Sequence, residues 1–187
     1  MTVWNQLLRD QLEWHWAHQL RSRLEGLSDE EYFWEPVAGG WSVRPRGAAV
    51  TSMAAGAGGL LIDWEYPEPT PSPVTTIAWR LGHVIVGVLG MRNAAHFGRD
   101  PVDYGTFSYA ATAAGALAQL DREIDVWLDG VRDLGEEGLD RPCGPAEGPF
   151  ADEPMATLVL HIHRELIHHL AEVCLLRDLY AHTAGAT

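Results

Sequence analysis

The chain has 187 residues, with 13 basic side chains, all arginine, against 26 acidic ones, for a formal net charge of −13 and a pI of about 4.9. An acidic field of that size repels phosphates and anionic headgroups, so neither a nucleic acid nor a membrane is an expected partner. Hydrophobic content of 47% speaks against disorder and for one globular domain over residues 1–187.

Four segments read as long helices. The first runs from Thr2 to Leu24, where Leu8, Leu12, Trp16, Leu20 and Leu24 step by four into one apolar stripe. Gly26 ends it, and Ser28-Asp29-Glu30-Glu31 reads as a capping box that opens a short helical turn before Pro36. Residues 36–75 are rich in glycine and proline and keep no clean period, so they read as a long loop. Its Trp41, Trp64 and Tyr66 suggest a loop packed onto something. The second helix spans Thr75 to Phe97 and is apolar nearly all round, which predicts the most buried helix. The third spans Ser108 to Arg132, with Leu117, Leu120, Ile124, Trp127 and Val131 inside. A loop from Gly135 to Phe150 follows, and the fourth helix runs from Pro154 to His182. No strand alternation stands out. The expectation is an all-α protein, a four-helix up-and-down bundle with a long loop between helices one and two. Cys143 and Cys174 form no CxxC pair and no disulfide framework, and no apolar run reaches the roughly 18 residues of a membrane span. A soluble cytoplasmic protein is expected.

Nine histidines are many for this length, and four fall within His161–His169. On the fourth helix Leu158, Ile162, Glu165, His169, Glu172 and Leu176 form one stripe, apolar at its ends and ionisable in its middle. Burying such groups is costly unless they are paired or bound to a metal. At about 100° per residue, His161, His168 and His169 share a sector with Glu165, while His163 falls on the far side and is expected to face solvent. Glu165 and His169, four apart, can reach one ion. His83, in the apolar middle of the second helix, is the candidate third ligand. Two histidines and a carboxylate with an open position suit a catalytic Zn²⁺ site or that of another borderline metal. The alternatives are hydrogen-bonded core histidines, and a Glu165 salt bridge to Arg80, Arg164 or Arg177. One Glu-x-x-His motif falls short of a di-iron bundle, which needs two. His15 is undecided, and His18, His96 and His182 are expected to be ordinary.

Three stretches, GLSDEEYFWEPVAGGWSVRPRG (26–47), TTIAWRLGHVIVGVLGMRNAAHFG (75–98) and LVLHIHRELIHHLAEVCLLRDLY (158–180), resemble the DinB-like superfamily in order and layout. That superfamily includes mycothiol-dependent maleylpyruvate isomerases and thiol S-transferases. Trp79-x-x-x-His83 resembles its metal histidine on helix two. The usual His-x-x-x-His of helix four is Glu165-x-x-x-His169 here, as in the mycothiol-dependent isomerase branch. The resemblance implies His83, Glu165 and His169 as ligands of a divalent metal, zinc first, with nickel, iron or manganese as alternatives. It implies a low-molecular-weight thiol such as mycothiol as cosubstrate, a small-molecule substrate and a homodimer. On that reading His161 and His168 orient ligands or relay protons. The loop from Gly39 to Pro73 covers the mouth of the site, with Arg44 and Arg46 available to cosubstrate or substrate carboxylates, or else simply facing solvent. The non-enzyme alternative is a metal-binding or scaffold bundle linked to stress. Cys143, with nothing nearby to lower its pKa, is expected to be unreactive.

Overall fold

The computed structural model describes residues 3–184, which are mostly helical with one two-stranded sheet. The first helix, α1 (Trp4–His15), runs on through a π turn (Trp16–Leu20) and a 3₁₀ turn (Arg21–Leu24). Leu12, Leu20 and Leu24 are buried as the stripe predicts; Thr2 lies outside the described residues. Helix α2 (Asp29–Phe33) starts as half of a capping box: the Ser28 hydroxyl accepts from the Glu31 amide at 3.1 Å. The Glu31 carboxylate accepts instead from Arg177 Nε at 2.7 Å, which ties α2 to the last helix.

The long loop holds structure that the sequence pattern does not show. Strands β1 (Val43–Pro45) and β2 (Leu60–Ile62) pair antiparallel, Val43 opposite Ile62 and Arg44 opposite Leu61. Three residues per strand are too few for alternation to register as a pattern. The hub is Asp63, fully buried directly after β2. Its carboxylate accepts from the Ser42 amide (2.9 Å), Arg44 Nε (2.9 Å) and the Val50 amide (3.0 Å), and its backbone oxygen accepts from Trp79 Nε1 (2.7 Å). The loop is thereby fastened to the second helical rod.

That rod comprises α3 (Ile77–His83), a π segment (Val84–Gly90) and α4 (Met91–His96). Thr76 caps it, its hydroxyl accepting from the Trp79 amide at 3.2 Å. Ile77, Leu81, Val84, Ile85, Val86, Val88 and Leu89 are all buried, as an apolar circumference predicts. Helix α5 (Ala113–Leu139) begins five residues later than expected. Residues 108–112 are not helical, and the Thr112 hydroxyl caps the Gly115 amide at 3.1 Å. It also runs past Arg132, bending at Gly135 (φ 59°). Helix α6 is Met155–Thr183. The α3–α4 rod packs against α5 and α6, and α1 touches both. A 3₁₀ segment (Pro145–Phe150) precedes α6. Its Glu147 pairs with His96 Nε2 at 2.9 Å, both side chains nearly buried, so His96 is an anchor and not the ordinary residue expected. Cys143 is buried and Cys174 half-buried, both as free thiols. Burial, then Glu147 and Glu153, push the Cys143 thiol up, in keeping with an unreactive group.

His163 corrects the helical-wheel reading. It is buried, not solvent-facing, with its ring edge-on to fully buried Trp127 (centroids 6.2 Å apart). Helix α6 touches α1, α3 and α5, so it buries more than the Glu165 face. Neither His163 Nε2 nor Trp127 Nε1 has a hydrogen-bond partner among the described residues. Desolvation lowers the His163 imidazole to about 4, so it is neutral in the fold and must be charged to follow the unfolded chain below pH 6.5. Its contribution is complete above the unfolded value, is lost as pH falls, and is gone near pH 4. Each pH unit in that window removes up to about 1.4 kcal/mol. Thermal melts between pH 7.5 and 4.5 should show this slope in the wild type and a flatter one in His163→Leu. Equal slopes would rule out His163 as a source of acid sensitivity.

Candidate metal centre

The π segment after His83 changes the phase of the second rod where the ionisable groups gather; such turns recur at functional sites. His83 ends α3 and meets His169 of α6 edge-on, ring centroids 4.8 Å apart and planes at 89°. Trp79, one turn earlier, stacks on His83 at 5.3 Å, and Trp41 and Trp64 of the loop continue the aromatic wall. The loop thus packs on the side of the site through Trp41 and Trp64, while Tyr66 stands exposed.

Each histidine has its Nδ1 engaged. His83 Nδ1 lies 2.7 Å from the Tyr104 hydroxyl, and His169 Nδ1 lies 2.9 Å from Glu172 Oε2. Arg80 stands beside the second pair, Nε 3.1 Å from Glu172 Oε2 and Nη1 3.3 Å from His169 Nδ1. One ring nitrogen cannot both accept from Arg80 and donate to Glu172. The shorter contact, to a carboxylate that needs donors, has Nδ1–H donate to Glu172 while Arg80 pairs with the same carboxylate. That tautomer leaves His169 Nε2 as a lone pair, 3.4 Å from Glu165 Oε2. Burial, then the neighbouring His169 and Arg80, bring the His83 imidazole down to about 4, so it is neutral at pH 7 and able to ligate. Burial acts to raise the Glu165 carboxyl, but Arg164, His161 and His169 outweigh it and hold it below the ordinary value.

Among the described residues, a group of three whose potential ligand atoms lie within 4.8 Å of one another is His168, His169 and Glu172. The chain therefore carries a His/Glu cluster able to hold a metal ion, with His169 common to this group and to the expected triad. His168 is exposed, its Nε2 3.7 Å from Glu172 Oε1.

Beside His83 lies a cavity of about 350 Å³, lined among others by Tyr104, His161, Glu165 and Arg92. His161 Nδ1 is 3.5 Å from Glu165 Oε1. Arg92 and His161 also border a larger cleft of about 770 Å³, walled by Phe150, Leu158, Leu160 and Arg164. Of the residues singled out from sequence, His83, His161 and Glu165 line the small cavity, with His169 against His83; His168 lies outside it. Arg44 and Arg46 do not line it either. The Arg44 guanidinium is turned inward to Asp63, Glu35 (2.7 Å) and the Gly40 carbonyl (2.7 Å), so it does not face solvent. Arg46 Nη2 bonds the Gly56 and Gly58 carbonyls, holding the loop together. Sequence reasoning missed Tyr104 and Arg92 as members of the site; it placed Glu172 on the ionisable stripe without a role and offered Arg80 as a partner of Glu165, whereas Arg80 pairs with Glu172. Glu172 and Arg80 carry a helical-spacing signal from His169 and His83; Tyr104 sits in an irregular segment and carries none.

These features define a mostly helical protein with a His/Glu cluster on α6, His83 of the second rod packed against it, and a ligand-sized cavity beside His83. The family model described as the DinB superfamily matches residues 11–173, and the chain belongs to that superfamily. No curated protein and no solved structure gives a significant match.

Proposed function

We propose that the chain is a single DinB-like four-helix bundle domain and a divalent-metal enzyme, with His83 Nε2, Glu165 and His169 Nε2 as ligands and zinc as the first choice of metal. The observation that carries this is the paired orientation of two histidines from different helices. Each has Nδ1 held by an outer partner, Tyr104 or Glu172, which leaves both Nε2 atoms for an ion near Glu165. The alternative grouping, His168 with Glu172 and the Nδ1 of His169, has the Arg80 guanidinium already beside it, and a like charge there opposes a dication.

With three protein ligands one position stays open, and a divalent ion there lowers the pKa of a bound thiol. The substrate pair is a low-molecular-weight thiol of the mycothiol type and a small electrophile. His161, at the cavity wall beside Glu165, takes the thiol proton on Nδ1 as exposed Arg164 releases that nitrogen and sulfur bonds to the electrophilic carbon. In thiol transfer His161 passes that proton to the departing group. In isomerisation it returns the proton to sulfur as the carbon–sulfur bond breaks and the double bond re-forms. The 770 Å³ cleft receives the rest of the ligands. Trp4, Leu160 and Ile167, exposed along the groove between α1 and α6, supply a face for a homodimer.

The test is cobalt-substituted protein titrated with mycothiol. A sulfur-to-cobalt charge-transfer band with saturation is the expected outcome. A spectrum unmoved by mycothiol and by simple thiols would remove the thiol chemistry and leave the non-catalytic metal-binding bundle. That second reading draws on the ion pairs by which His161, Glu165, His169, Glu172 and Arg80 already satisfy one another.

A further inference from the structure

Tyr104 reaches the site from the irregular segment between α4 and α5, and only because of one glycine. A Cβ on Gly87, in the π segment, would lie 2.0 Å from the Tyr104 hydroxyl and 3.3 Å from His83 Nδ1. Gly87 is thus a slot for the phenol. The ring is held flat between Trp64 (6.2 Å) and His83 (6.3 Å), and among the described residues its hydroxyl has His83 Nδ1 as hydrogen-bond partner. If His83 ligates through Nε2, as proposed above, its Nδ1 must carry a proton and donate it to the Tyr104 oxygen. The phenolic hydrogen is then released from the imidazole. Tyr104 lines the 350 Å³ cavity that Glu165 and His161 also line, so the freed O–H has that space to donate into. We infer that Tyr104 donates a hydrogen bond to a carbonyl or carboxylate oxygen of the substrate held beside the metal. This rests on the His83 ligation proposed above and adds to it a substrate class, electrophiles that carry an oxygen acceptor next to the reacting carbon.

Two probes separate this role from simple support of His83. Acetate has a second oxygen to accept from Tyr104, and ethanethiol has none. Both are titrated against cobalt-substituted wild type, Tyr104→Phe and Gly87→Ala, with cobalt affinity measured first. Wild type should take up about one equivalent of cobalt. In Tyr104→Phe, acetate should bind about tenfold more weakly, the worth of one hydrogen bond, while ethanethiol changes less than about twofold. Gly87→Ala, whose methyl displaces the hydroxyl and stands 3.3 Å from His83 Nδ1, should reproduce the acetate loss relative to ethanethiol and serves if Tyr104→Phe misfolds. Unchanged acetate affinity, or equal weakening of both probes, would overturn the inference while leaving the metal reading intact. Wild type that takes up no cobalt would overturn both, and that result comes before any variant is read.

Discussion

His169→Ala is expected to abolish stoichiometric divalent-metal binding, with Glu165→Ala close behind. Structural zinc sites gain roughly 10–16 kcal/mol from four ligands, so one lost ligand costs about 3 kcal/mol, a factor of order 100 in affinity. His169 should suffer most, because it is the ring shared by both possible groupings and its loss also takes the Nδ1–H donor from Glu172. Glu172→Gln keeps a hydrogen-bond acceptor for Nδ1–H but loses the charge, and should weaken binding by about 10-fold to 100-fold as other outer partners do. His168→Ala, outside the cavity, should change little. Metal analysis after dialysis, with competition against a chromophoric chelator, gives the order. If Glu172 and His168 prove indispensable while Glu165→Ala binds normally, the ion sits on the Nδ1 side of His169 and the proposed triad is wrong. A metal load equal to wild type in every variant would place the ion elsewhere.

Asp63→Ala should be the most damaging single change in the long loop, by about 3–5 kcal/mol. The carboxylate is fully buried and takes three hydrogen bonds, from two backbone amides and Arg44. Its loss leaves those amides without acceptors and leaves half-buried Arg44 with Glu35 as its remaining carboxylate. For a chain of this length the melting temperature should fall by roughly 6–20 °C. Because Trp79 donates to the Asp63 backbone oxygen and also stacks on His83, the damage should reach the proposed metal centre. Calorimetry with limited proteolysis across residues 46–73 tests this. A fall under about 1 kcal/mol would show that the loop is held by its aromatic contacts and not by this carboxylate.

The long helices were legible because their apolar positions recur at 3.6-residue spacing over five or more turns. The proposed ligands His83, Glu165 and His169 stand out for the complementary reason, as ionisable side chains on faces whose neighbours are apolar. The wheel misplaced His163 because it ranks one face as inner, whereas α6 is packed from several sides. The start of α5 was misjudged because the cap is Thr112 and not Ser108. The short hairpin, with its buried Asp63, left no periodic trace in a segment rich in glycine and proline.

The sequence by itself determined the helical class and the superfamily, and it pointed to the three side chains proposed as metal ligands, since each depends on local spacing along one helix or on a motif. Only the tertiary structure decided what surrounds them: Tyr104 on His83, Glu172 and Arg80 on His169, Asp63 behind Trp79, and the cavity beside His83. Those contacts depend on where a π turn, a glycine slot and an irregular loop bring distant segments together, and no periodicity along the chain records that meeting.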